Sequence, residues 1–236
     1  MTRVAVQEDV RIRDGDVIIE GDLHVSERAL GLVIFAHGSG SSRFSMRNRR
    51  VAEGLESAGC ATLLMDLLTR YEEEVDAMTA EFRFDIPLLG RRVVAAVDWA
   101  AGHQAVRDLR IGYFGASSGA AAALSAAAHR PDVSAAVVSR GGRPDLAGES
   151  VLRAIQPPTL LIVGGADEPV IALNEDAMKF IRAEVRLEII PGATHLFEEP
   201  GALEEVTRLA SGWFTRHFQG TRASSTMLDG VGPNEA

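Results

Sequence analysis

Ser117 stands in Gly115-Ala116-Ser117-Ser118-Gly119, between an apolar run at 110–114 and an alanine-rich stretch at 118–128. A strand turning sharply into a helix would lift this serine on a strained backbone. Its neighbours two positions away must then be small, and both are glycine. A serine hydroxyl is a poor nucleophile near neutral pH, so it needs a base to take its proton and an acid to hold that base in one tautomer. His195 and Asp167 fit these parts. Each follows a predicted strand, 185–190 and 159–163 respectively, and so is expected at the sheet edge where Ser117 emerges. The order along the chain is serine, aspartate, histidine; Glu168, beside Asp167, is the second choice for the acid. Such a set performs nucleophilic attack on an acyl carbon, with the proton relayed through the histidine. The other histidines fit less well. His24 lies near the end of a predicted strand, His103, His129 and His217 lie at the ends of predicted helices, and His37 opens a loop.

These residues need a scaffold, and the hydrophobic pattern supplies one. Segments 4–12 and 17–25 alternate loosely around Arg13-Asp14-Gly15-Asp16, which predicts an antiparallel hairpin at a sheet edge. Residues 31–36, 61–68, 110–114, 133–138, 159–163 and 185–190 read as strands, the continuous apolar ones as buried on both faces. Helices are predicted at 46–58, 86–101, 118–128, 174–181 and 202–218. The acidic run Glu72, Glu73, Glu74 and Asp76 reads as a solvated loop or helix face. Strands alternating with helices imply an α/β domain over 1–219, with a mostly parallel sheet covered by helices on both faces. Residues 220–236 lack periodicity and read as a loose tail.

Composition narrows the function. The chain carries 24 Lys+Arg against 33 Asp+Glu, a formal charge of -9, which disfavours nucleic acid or a membrane surface as partner. One cysteine, Cys60, cannot form an internal disulfide and reads as a small buried thiol. The first residues lack the apolar stretch of a signal peptide, and no later segment is long and apolar enough to span a membrane, so the expected location is the cytoplasm.

Four motifs in order, His37-Gly38-Ser39-Gly40-Ser41-Ser42, GASSG around Ser117, GGADEPV around Asp167 and PGATH ending at His195, resemble the α/β-hydrolase superfamily, especially its dienelactone-hydrolase-like branch. The resemblance covers roughly residues 30–218 and implies an α/β-hydrolase fold with a minimal cap. It implies Ser117 as nucleophile, Asp167 as acid, His195 as base, and the backbone N–H groups of Ser39 and Ser118 as the oxyanion hole. Dienelactone hydrolases proper use cysteine as nucleophile; serine stands here, so their substrate does not carry over. The reading is a serine hydrolase of a small carboxylic ester or lactone, without metal or organic cofactor. The same set would serve amide or thioester hydrolysis or acyl transfer, and the scaffold alone could bind a ligand without reacting. Arg43, Arg140 and Arg143 follow strand ends or the glycine-serine loop and are candidates for holding an anionic part of the substrate. The alternative is that each pairs with a nearby carboxylate or simply points to water.

Overall fold

The computed structural model describes residues 5–225. Strands β1 (Val6–Asp14) and β2 (Val17–Val25) pair antiparallel from Val6 with Val25 to Asp14 with Val17, and Gly15 at φ +59° permits the tight turn. The strands β3 (Leu32–Ala36), β4 (Ala61–Met65), β5 (Ile111–Ala116), β6 (Ser134–Arg140) and β7 (Thr159–Gly164) are buried at every residue. That matches their predominantly apolar sequences, because a parallel sheet is covered on both sides, although β6 also buries Ser134, Ser139 and Arg140. With the edge strand β8 (Val185–Ile190) they form one eight-stranded sheet in the order β1-β2-β4-β3-β5-β6-β7-β8. Only the β1–β2 and β2–β4 pairings are antiparallel.

Helices α1 (Met46–Ser57) and α7 (Ala202–Ser225) cover one face, where Val51 and Leu55 meet Val206, Ala210 and Phe214. Helices α3 (Ile86–Gly102) and α4 (Ser118–His129) cover the other, where Leu89 and Val93 meet Leu124. β3 is followed in the sheet by β4 on one side and β5 on the other. The connections leaving β3 and β5 therefore diverge to opposite faces and open a crevice at the carboxyl edge of the sheet, where such folds place their ligands.

Several elements differ from expectation. The acidic run forms α2 (Arg70–Thr79), started by a capping box in which Thr69 and Glu72 satisfy each other's backbone N–H. Its carboxylates are not all solvated: Asp76 is buried and accepts the N–H groups of Phe82 and Arg83 at 2.8 and 2.9 Å. The helix expected over 174–181 begins earlier, as α6 (Glu168–Met178), because Pro169 in its first turn starts a helix without losing a bond. Between β6 and β7 lie a 3-10 turn (Pro144–Ala147) and α5 (Glu149–Ala154). The tail expected from Gly220 continues as helix through Ser225, and 226–236 lie outside the described residues. No helix among the described residues is long and apolar enough to cross a membrane. Cys60 is fully buried, which pushes its thiol up to about 12.

Candidate active site

Ser117 sits on the turn between β5 and α4 with φ 51° and ψ -124°. A non-glycine residue held there costs about 1–3 kcal/mol, so the surroundings must fix it. They do so through backbone bonds: Ser117 N–H donates to the Arg140 carbonyl at 3.2 Å, and the Ser117 carbonyl accepts Ala120 N–H and Arg143 N–H, both at 3.1 Å. The flanking glycines are required by contact. A Cβ on Gly115 would stand 2.4 Å from the Ala120 Cα, and one on Gly119 would stand 2.3 Å from the carbonyl oxygens of Ala36 and His37. Alanines behind the turn let α4 pack close to the sheet, with Ala120 to Ala123 fully buried.

The loops after β7 and β8 are stitched together below their side chains. Gly165 N–H donates to Ile190 O at 2.8 Å and Ala166 N–H to Ala193 O at 2.9 Å. Phe197, buried with φ 55°, anchors the far side of the second loop in the core. This brings His195 between the other two residues: Nδ1 is 2.7 Å from Asp167 Oδ2 and Nε2 is 3.2 Å from Ser117 Oγ. Asp167, not Glu168, makes the contact; Glu168 is exposed at the start of α6. The remaining histidines lie apart, His24 beside Glu56 and His103 beside Glu8.

The loop after β3 is held by His37. Leu67 N–H donates to His37 Nε2 at 3.0 Å, so the ring proton must be on Nδ1, which donates to the Gly38 carbonyl at 2.9 Å. Burial pushes the His37 pKa below its ordinary 6.5, against smaller upward effects of the Gly38 bond and Asp66. A protonated ring could not accept the Leu67 N–H. Stability contributed by neutral His37 is therefore complete above the unfolded value of 6.5 and is lost as pH falls through the lower folded value. The Tm advantage of wild type over His37→Gln is expected to shrink as pH drops from about 7.5 to about 5. A gap constant with pH in thermal melts would show that His37 does not titrate against the fold.

Further along that loop the expected arrangement is altered. Ser39 N–H, an expected oxyanion donor, donates to Ser118 Oγ at 3.1 Å, while Ser39 Oγ lies 2.8 Å from the same oxygen and donates to the Arg83 carbonyl at 3.3 Å. Ser118 N–H opens α4, where first-turn N–H groups have no partner inside the helix. A cavity of about 510 Å³ adjoins these groups, walled by Leu67, Leu68, Leu89, Ala77 of α2, and the exposed Phe44. Its volume is in the range of small-molecule sites. Sequence reasoning missed that α2 and the Asp76–Arg83 ion pair form one wall. The Thr69-x-x-Glu72 capping signature was the available cue.

The three arginines part company. Arg43 gives its backbone N–H to Asp66 at 2.8 Å and its guanidinium to Asp66, Asp22 and Glu20. Arg143 is bidentate on Asp145 at 2.8 and 2.7 Å. Both are thus engaged by carboxylates. Arg140 is buried with no carboxylate partner among the described residues. Among those residues no group of three or more His, Cys, Asp or Glu is placed to hold a metal ion.

A mostly parallel sheet with an antiparallel hairpin, helices on both faces and a serine on the turn after its central strand define an α/β hydrolase fold. Within it, the chain belongs to the dienelactone hydrolase family, whose pattern it matches over residues 19–217. It is similar to the crystal structure of a dienelactone hydrolase from Anabaena variabilis, with TM-score 0.88 and 56% identity over 90% of this chain and 98% of that one. Est1E from Butyrivibrio proteoclasticus shares the fold at TM-score 0.75 and 18% identity, over 89% of this chain and 99% of that one. A protein of Mycobacterium tuberculosis provisionally named phosphoribosyl transferase is 53% identical over 213 residues, which is 90% of this chain and 47% of the relative. The chain thus spans about half the length of that curated relative.

Proposed function

We propose that the chain is a serine hydrolase that cleaves a small carboxylic ester or lactone through an acyl-enzyme on Ser117. The observation that carries this reading is the unbroken contact from Ser117 Oγ through His195 to Asp167. With its Nδ1 proton held by Asp167, His195 presents Nε2 as an acceptor to the serine hydroxyl. Attack by Ser117 Oγ on the acyl carbon passes the hydroxyl proton to Nε2 and moves charge onto the carbonyl oxygen. That oxygen is met by Ser118 N–H, and by Ser39 N–H once it exchanges Ser118 Oγ for the developing oxyanion. The imidazolium then gives its proton to the leaving alcohol as the C–O bond breaks. Water repeats the sequence on the acyl-enzyme and releases the acid, with Ser117 reprotonated. The leucine-walled cavity beside Ser118 takes the uncharged part of the substrate.

A fluorophosphonate probe tests the reading without knowledge of the natural substrate. Wild type is expected to take up one equivalent per chain, at Ser117 by peptide mapping, and to lose p-nitrophenyl acetate turnover in proportion. Ser117→Ala is expected to take up none. Labelling at another serine, or none of the wild type, would sink the proposal. The phosphoribosyl transferase name belongs to a relative of which this chain covers 47%.

A further inference from the structure

Ser118 follows the proposed nucleophile in the chain, opens α4 and is only 2% exposed. Its hydroxyl oxygen accepts Ser39 N–H at 3.1 Å. The Ser39 hydroxyl gives its one proton to the Arg83 carbonyl at 3.3 Å. Across the 2.8 Å contact between the two hydroxyls, Ser118 is therefore the donor and Ser39 Oγ the acceptor. The Ser118 proton is turned away from Ser39 N–H, and what meets that N–H is an oxygen lone pair. Arg83 is fixed in turn by Asp76, which accepts its backbone N–H at 2.9 Å and its Nε at 2.8 Å. Ser39 and Ser118 both line the cavity of about 510 Å³, so this contact lies where a substrate carbonyl has to enter.

The loop does not depend on this contact for its position. His37 is tied to Leu67 N–H at 3.0 Å and to the Gly38 carbonyl at 2.9 Å. Ser41 N–H closes a turn on the same carbonyl at 3.2 Å, and Arg43 N–H is held by Asp66 at 2.8 Å. Gly38 lies so close to the nucleophile turn that a Cβ on it would stand 3.1 Å from the Ser117 Cβ. Removing Ser118 Oγ thus leaves Ser39 N–H in place and takes away only its acceptor. A hydrogen bond made in the free enzyme and given up in the transition state subtracts from the stabilisation that the oxyanion receives. For a neutral bond the net effect is about 3- to 10-fold in rate. The charge-assisted bond that replaces it is the stronger, which is why the exchange can proceed at all.

We propose that the Ser118 hydroxyl is a built-in occupant of the oxyanion hole: it engages Ser39 N–H in the free enzyme, must be displaced in every turnover, and so acts as a brake on the reaction. The proposal rests on the serine hydrolase reading and adds to it a control on the rate that resides in one side chain. The backbone N–H of Ser118 and its hydroxyl have opposite effects, the first stabilising the developing charge and the second competing with it for Ser39. What the hydroxyl contributes instead is stability, because it satisfies Ser39 N–H and couples the loop after β3 to Arg83 and Asp76.

The test measures p-nitrophenyl acetate turnover and inhibition by phenylboronic acid in wild type, Ser118→Ala and Ser118→Cys. Ser117 Oγ adds to the trigonal boron as its proton passes to His195, and the tetrahedral boronate then places an oxygen in the hole. Ser118→Ala is expected to raise kcat/KM by about 3- to 10-fold and to lower the Ki of the boronic acid by a similar factor. Ser118→Cys, whose sulfur is a weaker acceptor, should lie between. The Tm of Ser118→Ala should fall by about 2–4 °C, since the bond is lost from the folded state. Faster turnover by a less stable protein is a result that damage to the site cannot produce. A kcat/KM for Ser118→Ala at or below that of wild type, or an unchanged Ki, overturns the proposal and leaves the serine hydrolase reading standing, provided wild type turns over the ester and is labelled at Ser117. Wild type that does neither overturns that reading and the proposal with it. Should Ser118→Ala fail to fold, Ser118→Cys carries the same comparison with a smaller gain.

Discussion

Ser117→Ala is expected to lower kcat by about 10⁶-fold, the loss seen when the nucleophile of a serine, histidine and acid unit is removed. The fold should survive the change. The bonds that fix Ser117 use its backbone N–H and carbonyl, and alanine at φ 51° is no more strained than serine. Only Oγ is lost, and with it the 3.2 Å contact to His195 Nε2. Because nucleophile and base act as one unit, the double variant Ser117→Ala/His195→Ala should be no worse than either single one. Steady-state turnover of p-nitrophenyl acetate, with Tm as control, measures all three. Retention of more than about a tenth of wild-type activity by Ser117→Ala would place the chemistry elsewhere.

The frame of the fold was legible because the buried strands announce themselves. LVIFA at β3 and TLLIVG at β7 have no polar face, and each is buried throughout. A strand followed by G-x-S-x-G and then alanines leaves few alternatives to a sharp turn. The loops carrying Asp167 and His195 could be placed at one edge because parallel strands deliver their carboxyl ends to the same side. The pairing of His195 with Asp167 rather than Glu168 was less accessible to sequence reasoning. Both acids lie at the start of α6, and the choice turns on the Gly165 and Ala166 backbone bonds that set the loop against the β8 turn.

What the sequence concealed are features set by tertiary partners. The acidic run at α2 has the composition of a solvated face, yet Asp76 is buried because two backbone N–H groups and the Arg83 guanidinium converge on it. Ser39 N–H could not be foreseen to meet Ser118 Oγ, since the two residues are 79 positions apart. Arg43, Arg140 and Arg143 look alike in sequence. They separate only when Asp66, Asp22, Glu20 and Asp145 are seen beside two of them and, among the described residues, no carboxylate beside the third.

Asp167→Asn is expected to reduce kcat by about 10⁴-fold, which is far more than the strength of the hydrogen bond it alters. A charge-assisted hydrogen bond contributes about 1.5–3 kcal/mol, whereas a 10⁴-fold loss is about 5.5 kcal/mol, so lost attraction alone does not account for the effect. The difference comes from the tautomer. Asp167 can only accept at the 2.7 Å contact, which requires the His195 proton on Nδ1 and leaves Nε2 open to Ser117 Oγ. Asparagine can turn its NH₂ toward Nδ1; the proton then moves to Nε2, and the imidazole faces the serine with a donor where an acceptor is needed. The imidazolium formed during attack also loses the neighbouring negative charge. Folding should be little affected, because the Asp167 side chain does not cap α6 and its backbone N–H to the Gly164 carbonyl, at 3.0 Å, is unchanged. Glu168→Gln, exposed one residue further on, is the matched control and should retain nearly full turnover. Near-normal kcat in Asp167→Asn together with an inactive Glu168→Gln would move the acid by one residue and require the loop after β7 to rearrange before the chemistry begins.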